Sequence, residues 1–218
     1  GWRAGVGAGA GAGGPSRQAE GGGGGGGEGG ERVFVSPARL IARDLAPAHG
    51  LTDEFVERVF LFAPLHDIGK IAIPDAILLK PGPLTPEERA TMQGHVDHGV
   101  AIVDRIVADL DLRSMPDMSL LYDIVRGHHE MLDGSGYPRG LRGGQIPIAA
   151  RIAAVADIFD ALTTPRPYKE AWPFPEAIAE LQRMVAAGKL DAECVAALER
   201  HLPEAQAITE RYQDPPAR

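Results

Sequence analysis

The chain has 218 residues, 44% of them hydrophobic, with 22 Lys and Arg against 30 Asp and Glu for a net charge of −8. That length can bury one sizeable core, and the acidic balance argues against a nucleic-acid polymer as the main partner, because such a partner calls for a basic face. The single cysteine, Cys194, excludes an intrachain disulfide or a thiolate-rich zinc site and fits a reducing cytoplasm, while no long apolar run or signal-peptide pattern speaks for a membrane span or export.

Sixteen of the 28 glycines fall in residues 1–30, with an unbroken run from Gly21 to Gly27. Such a stretch offers nothing to pack, so residues 1–33 are expected to be a disordered low-complexity tail. The alternating Gly-Ala run also resembles a GC-rich gene read in a wrong frame. From Pro37 the texture becomes helical: Leu40, Ile41 and Leu45 recur at helical spacing, then Phe55, Val56, Val59, Phe60 and Phe62. Thr52-Asp53-Glu54 supplies a cap and acids for the start of that second helix. Pro74, Pro81, Gly82 and Pro83 then break the chain, and Thr85 is positioned to cap a helix with Pro86 at its first position and Glu87 and Glu88 in its first turn. This helix is expected to carry Met92 and His95, with another at 102–110 after Gly99. Residues 117–129 read as a helix running into a polar glycine-rich loop at 133–144, and 148–162 as an apolar helix carrying Asp157 and Asp160. Helices at 175–187 and 191–212 complete an all-α expectation, since alternating strand-like segments are absent.

Chemistry concentrates in histidines and aspartates that recur in pairs: His66-Asp67, then His95, His128-His129 and Asp157. One His-Asp dipeptide is ordinarily a surface pair. Here five of the seven histidines fall between positions 66 and 129, several beside Gly or Asp. Neighbouring residues on a helix point about 100° apart, so each doublet can reach one ion only near a helix end, or by bridging to a second ion. Six nitrogen and oxygen donors with no thiolate suit two divalent ions such as iron or manganese, and Asp67 is placed to bridge them. His98 reads as a solvated histidine, His49 and His201 as surface residues without companion donors, and Asp160 as a cap or orienting group.

The phrases around these residues resemble the HD-GYP family of cyclic di-GMP phosphodiesterases, a branch of the HD metal-dependent phosphohydrolases. They are Pro64-Leu65-His66-Asp67-Ile68-Gly69-Lys70, Ile73-Pro74-Asp75, Leu79-Lys80-Pro81-Gly82, Met92 to His95, His128-His129-Glu130, Asp133 to Pro138, Ala156 to Thr163, and Arg166-Pro167-Tyr168-Lys169. The resemblance implies an HD-domain-like helical bundle over residues 34–214, with a glycine-rich Gly-Tyr-Pro loop and a short tail at 215–218. It implies metal ligation by His66, Asp67, His95, His128, His129 and Asp157, and a catalytic role for Asp67 and Lys70. Substrate would be held by Lys70, Tyr137, Arg166 and Lys169. The implied reaction opens cyclic di-GMP to the linear dinucleotide pGpG, to GMP, or to both, through a metal-activated hydroxide. A diguanylate cyclase or a response regulator is the implied protein partner. The chain departs from the family at its start: Phe34 stands where a ligand histidine belongs, and Gly30 where some members carry a glutamate. The alternative is therefore a degenerate module that binds cyclic di-GMP or a protein partner without turnover.

Overall fold

The computed structural model describes residues 37–114, 117–164 and 170–205. The all-α expectation is met. Among these residues there are helices and tight 3-10 turns but no strand, only an isolated bridge between Asp133 and Arg142. In chain order the helices are α1 (Pro37–His49), α2 (Asp53–Phe62), α3 (Asp75–Leu78), α4 (Pro86–Gln93), α5 (His95–Asp109), α6 (Met118–Gly127), α7 (Ile148–Thr163), α8 (Phe174–Ala186) and α9 (Ala192–Arg200). No helix among the described residues is long and apolar enough to cross a membrane. The expected tails at 1–33 and 215–218 lie outside the described residues, as does the end of the last predicted helix beyond residue 205.

Helix α7 is the axis of the bundle. It is buried on nearly every face from Ala149 to Thr163, which is how a helix apolar all round behaves in a core. Around it pack α1, α6, α8 and α9, and α2 closes against α1 and α6. Ile41 of α1, Val59 of α2, Ile124 of α6, Phe159 of α7, Leu181 of α8 and Leu198 of α9 meet in one apolar cluster. Each such side chain is worth about 1.5–3 kcal/mol on burial, enough to hold six helices in fixed register. A second cluster joins Val103 and Val107 of α5 to Leu121 and Val125 of α6. Helix α5 thus joins the bundle through α6, whose last residue, Gly127, lies against Ala150 at the start of α7.

The helix starts follow local chemistry. The Thr52 side chain accepts from the Phe55 N–H at 3.2 Å, and Thr85 and Glu88 form a reciprocal capping box that Lys80 joins through Glu88 at 2.6 Å. Several boundaries differ from expectation, and α9 ends at Arg200. His95 does not sit on the helix capped by Thr85: α4 stops at Gln93, Gly94 intervenes, and His95 is the first residue of α5, which runs straight through Gly99. Likewise α6 ends at Gly127, one residue short of the His128-His129 pair that was expected inside it.

Candidate metal centre

The chain leaves α2 through a 3-10 turn, Ala63–Leu65, and enters a second one at Ile68–Ala72, so His66 and Asp67 lie in the joint between two tight turns. Pro64 suits the first of these, because its missing N–H has no partner to lose at the start of a helical turn. Gly69 makes the second possible. A Cβ there would overlap the His95 carbonyl oxygen and the Gly99 amide nitrogen and stand 2.9 Å from Gly99 Cα, so only glycine lets this turn lie against the start of α5. Asp67 thereby reaches His95. The second doublet follows the last residue of α6, and Asp157 projects from the middle of α7. Both doublets thus occupy helix ends, as the 100° separation requires.

The six paired donors expected from the sequence come together. Their ligand atoms form two groups, each with all members within 4.8 Å of one another: Asp67, His95, His128 and His129 in one, and His66, Asp67 and Asp157 in the other. Asp67 belongs to both. Its Oδ1 lies 3.3 Å from His95 Nε2 and 3.8 Å from His128 Nε2, its Oδ2 3.2 Å from His66 Nε2, and His66 Nε2 is 3.4 Å from Asp157 Oδ1. The imidazoles are aimed by the backbone. His66 Nδ1 donates to the Ala63 carbonyl at 2.6 Å, His95 Nδ1 to Met92 at 2.7 Å, and His128 Nδ1 to Ile124 and Val125 at 3.1 Å each. A carbonyl can only accept, so each Nδ1 carries a proton and Nε2 is the atom turned to the centre.

The electrostatics suit a cation. Burial lowers His66, but the Asp157 and Asp67 carboxylates beside it outweigh burial and raise its pKa to about 10. Burial raises both Asp157 and Asp67, yet the His66 imidazole beside Asp157 prevails and holds it at about 2, and Asp67 is driven still further down by His128 and His66. Burial pushes His95 down to about 4 and His129 well below the usual imidazole range. At neutral pH the ionised Asp67 and Asp157 thus face His95 and His129 in the neutral form that a metal requires of its ligands, while His66 carries a proton that a bound cation would displace. Among the described residues His66 Nε2 and Asp67 Oδ1 are buried with no hydrogen-bond partner, a costly arrangement unless a cation lies between them. The residues present therefore fit divalent ions held by nitrogen and oxygen.

The remaining expected residues divide. Lys70 is half-buried and its Nζ ion-pairs with Asp67 Oδ2. Tyr137 stacks on His129 at 4.6 Å with a 27° interplanar angle. Arg166, Lys169 and Phe34 lie outside the described residues. His98 is exposed and belongs to neither donor group, and exposed Asp160 accepts from Thr164 Oγ1 at 3.2 Å. His49 and His201 do have companions, contrary to expectation: His49 Nε2 meets Glu193 at 2.9 Å, and His201 bridges Asp44 at 3.0 Å and Glu204 at 3.1 Å. Glu193 and Asp44 arrive from other helices, out of reach of a local reading, whereas Glu204 lies three residues after His201. Glu130 was given no role by the sequence. It is 2% exposed and accepts the Arg139 N–H at 2.8 Å and the Leu141 N–H at 2.9 Å, pinning the Gly-Tyr-Pro loop. The signal was an acid set between two histidines and an apolar pair, where an unpartnered carboxylate would be expensive.

Residues 30–194 match a family model described as the HD domain. The chain is 42% identical over 192 residues to the cyclic di-GMP phosphodiesterase response regulator RpfG of Xanthomonas campestris pv. campestris, covering 88% of this chain and 48% of that protein. It is 45% identical over 168 residues to a cyclic di-GMP phosphodiesterase of Thermotoga maritima, covering 77% and 43% respectively. A 3'3'-cGAMP-specific phosphodiesterase 2 of Vibrio cholerae is 45% identical over 138 residues, 63% of this chain and 25% of that one. The chain thus spans less than half the length of these relatives. Among solved structures, an HDG"Y"P protein from Bdellovibrio bacteriovorus shares the fold, with a TM-score of 0.55 at 24% identity over 77% of this chain and 50% of that chain.

Proposed function

The chain belongs to the HD domain family, with the motif order of its HD-GYP branch, and from that premise we propose that it is a metal-dependent phosphodiesterase that opens cyclic di-GMP. The observation that carries this reading is the convergence of six nitrogen and oxygen donors on two groups that share Asp67. Relatives named for cyclic di-GMP and for 3'3'-cGAMP support a cyclic dinucleotide as the substrate class.

His95, His128 and His129 with Asp67 would hold one ion, and His66 and Asp157 with the same Asp67 the other; iron or manganese suits such thiolate-free sets. A bound pair of divalent ions supplies Lewis acidity toward phosphoryl oxygens and makes water a stronger nucleophile. The chain's own groups do the rest. Asp67 orients both donor sets, and Lys70, already paired with it, offsets negative charge that develops on phosphate oxygens. Arg166 and Lys169 are assigned to the substrate phosphates, and Tyr137 to the wall of the same pocket, on their place in the motifs. The products are pGpG, GMP or both. We place the protein in the cytoplasm with a diguanylate cyclase or response regulator as its protein partner. Phe34, standing at the family's first histidine position, favours a second reading, in which the module binds cyclic di-GMP without turnover.

The two readings part in one experiment. The chain is purified anaerobically, its iron and manganese are counted, and cyclic di-GMP conversion is followed for the wild type and Asp67→Ala. Metal-dependent turnover lost in Asp67→Ala is the expected result. A folded, metal-loaded wild type that binds cyclic di-GMP without converting it would establish the second reading instead.

A further inference from the structure

Three of the four clustered histidines are oriented by a hydrogen bond from Nδ1 to a backbone carbonyl one turn earlier. His129 is different. Among the described residues its ring makes no such bond; it lies face to face with Tyr137 at 4.6 Å and edge-on to His95 at 5.1 Å. Tyr137 is held in turn by its own N–H, which donates to the His129 carbonyl at 3.1 Å, and by the loop on which it sits. That loop closes on Glu130. Both carboxylate oxygens accept backbone N–H groups from the far side of the loop, at Arg139 and Leu141, and the Arg139 guanidinium lies 3.9 Å away. Gly136 presses against the backbone of His129 through Met131, closely enough that any Cβ would collide with it.

We infer that Glu130 and Tyr137 are positioning residues for His129: the buried carboxylate clasps the loop, the loop presents the phenol ring, and the ring sets the plane of the imidazole. The stack does for His129 what backbone carbonyls do for His66, His95 and His128. The inference rests on the reading of His129 as a metal ligand. It makes an uncommon demand on Glu130, because the isosteric glutamine replaces one acceptor by an NH2 group facing an N–H donor. Glu130→Gln should therefore loosen the clasp although its size is unchanged. It also separates the Tyr137 ring from the Tyr137 hydroxyl, since only the ring is used.

The test is Mn2+ titration calorimetry on the full chain, with far-UV circular dichroism as the fold check. Tyr137→Phe should bind Mn2+ within about twofold of wild type, whereas Tyr137→Ala and Glu130→Gln should weaken one Mn2+ by about 10–100-fold, the usual range for groups behind a ligand. A merely structural role would lower the melting temperature without that selective loss. Wild-type Mn2+ affinity in Tyr137→Ala, or an equal loss in Tyr137→Phe, overturns the inference while leaving the metal centre standing. A wild type that binds no Mn2+ overturns the metal reading and this inference with it. Should Glu130→Gln fail to fold, the two Tyr137 variants decide alone.

Discussion

Gly69→Ala tests how the metal centre is assembled. Asp67 reaches His95 only because the turn Ile68–Ala72 lies directly on the first turns of α5. An added Cβ would stand 2.9 Å from Gly99 Cα, and restoring an ordinary 3.4 Å there alone parts the two backbones by about 0.5 Å; relieving the overlaps with the His95 carbonyl and the Gly99 N–H requires more. Overpacking ordinarily costs 1–3 kcal/mol, and here the obstacles are backbone atoms that cannot rotate aside, which places the cost at about 3 kcal/mol or above. For a domain of this size that corresponds to a melting temperature roughly 6–12 °C lower. The same displacement widens the 3.3 Å separation of Asp67 from His95, so bound metal should fall together with stability. Gly144→Ala is the control, since it has open space around it and no left-handed backbone. Urea unfolding and metal counting on both variants provide the assay. A Gly69→Ala protein within about 0.5 kcal/mol of wild type and fully metallated would refute the close-approach argument.

Three further outcomes are expected. Thr85→Ala removes half of the capping box at the start of α4 and should cost about 1 kcal/mol in urea unfolding, with metal content unchanged. The Arg200 hydrogen bond, joined by His201 and opposed by partial burial, holds Asp44 below its ordinary 3.8. A lowered carboxylate stabilises above its unfolded pKa and loses that stabilisation as pH falls through its folded one. The urea midpoints of wild type and Asp44→Asn should accordingly differ fully above about pH 5 and draw together only as pH falls from 3.8 through the lowered folded pKa. Chelation of metal should lower the melting temperature: with the ion at 100 times its Kd, binding contributes about 2.7 kcal/mol, or roughly 5–11 °C, and re-addition should restore it.

What could be read from the sequence was whatever is decided locally. Thr52 and Thr85 cap their helices because a hydroxyl needs only an N–H three residues on, and the apolar spacing of 148–162 marks a buried helix that runs to Thr163. The donor set was legible because imidazole and carboxylate pairs set in glycine-rich phrases have few other uses. The placement of His95 was not. Gly94 keeps near-helical angles, φ −60° and ψ −14°, so the periodicity runs from α4 into α5 without a visible break, although the axis restarts there. The two turns around His66-Asp67 are too short to carry a hydrophobic period at all. Glu130 escaped because its partners, nine and eleven residues later, are brought to it by the path of the loop and not by any spacing.

The sharing of Asp67 between two donor groups is the centre of the account, and metal stoichiometry on three anaerobic preparations tests it most directly. Wild type should carry two ions per chain. Asp157→Ala, which spares the set of His95, His128 and His129 with Asp67, should keep one. Asp67→Ala should keep none tightly. Two tightly bound ions in Asp67→Ala would show that the groups do not depend on a common carboxylate, and would contradict the account.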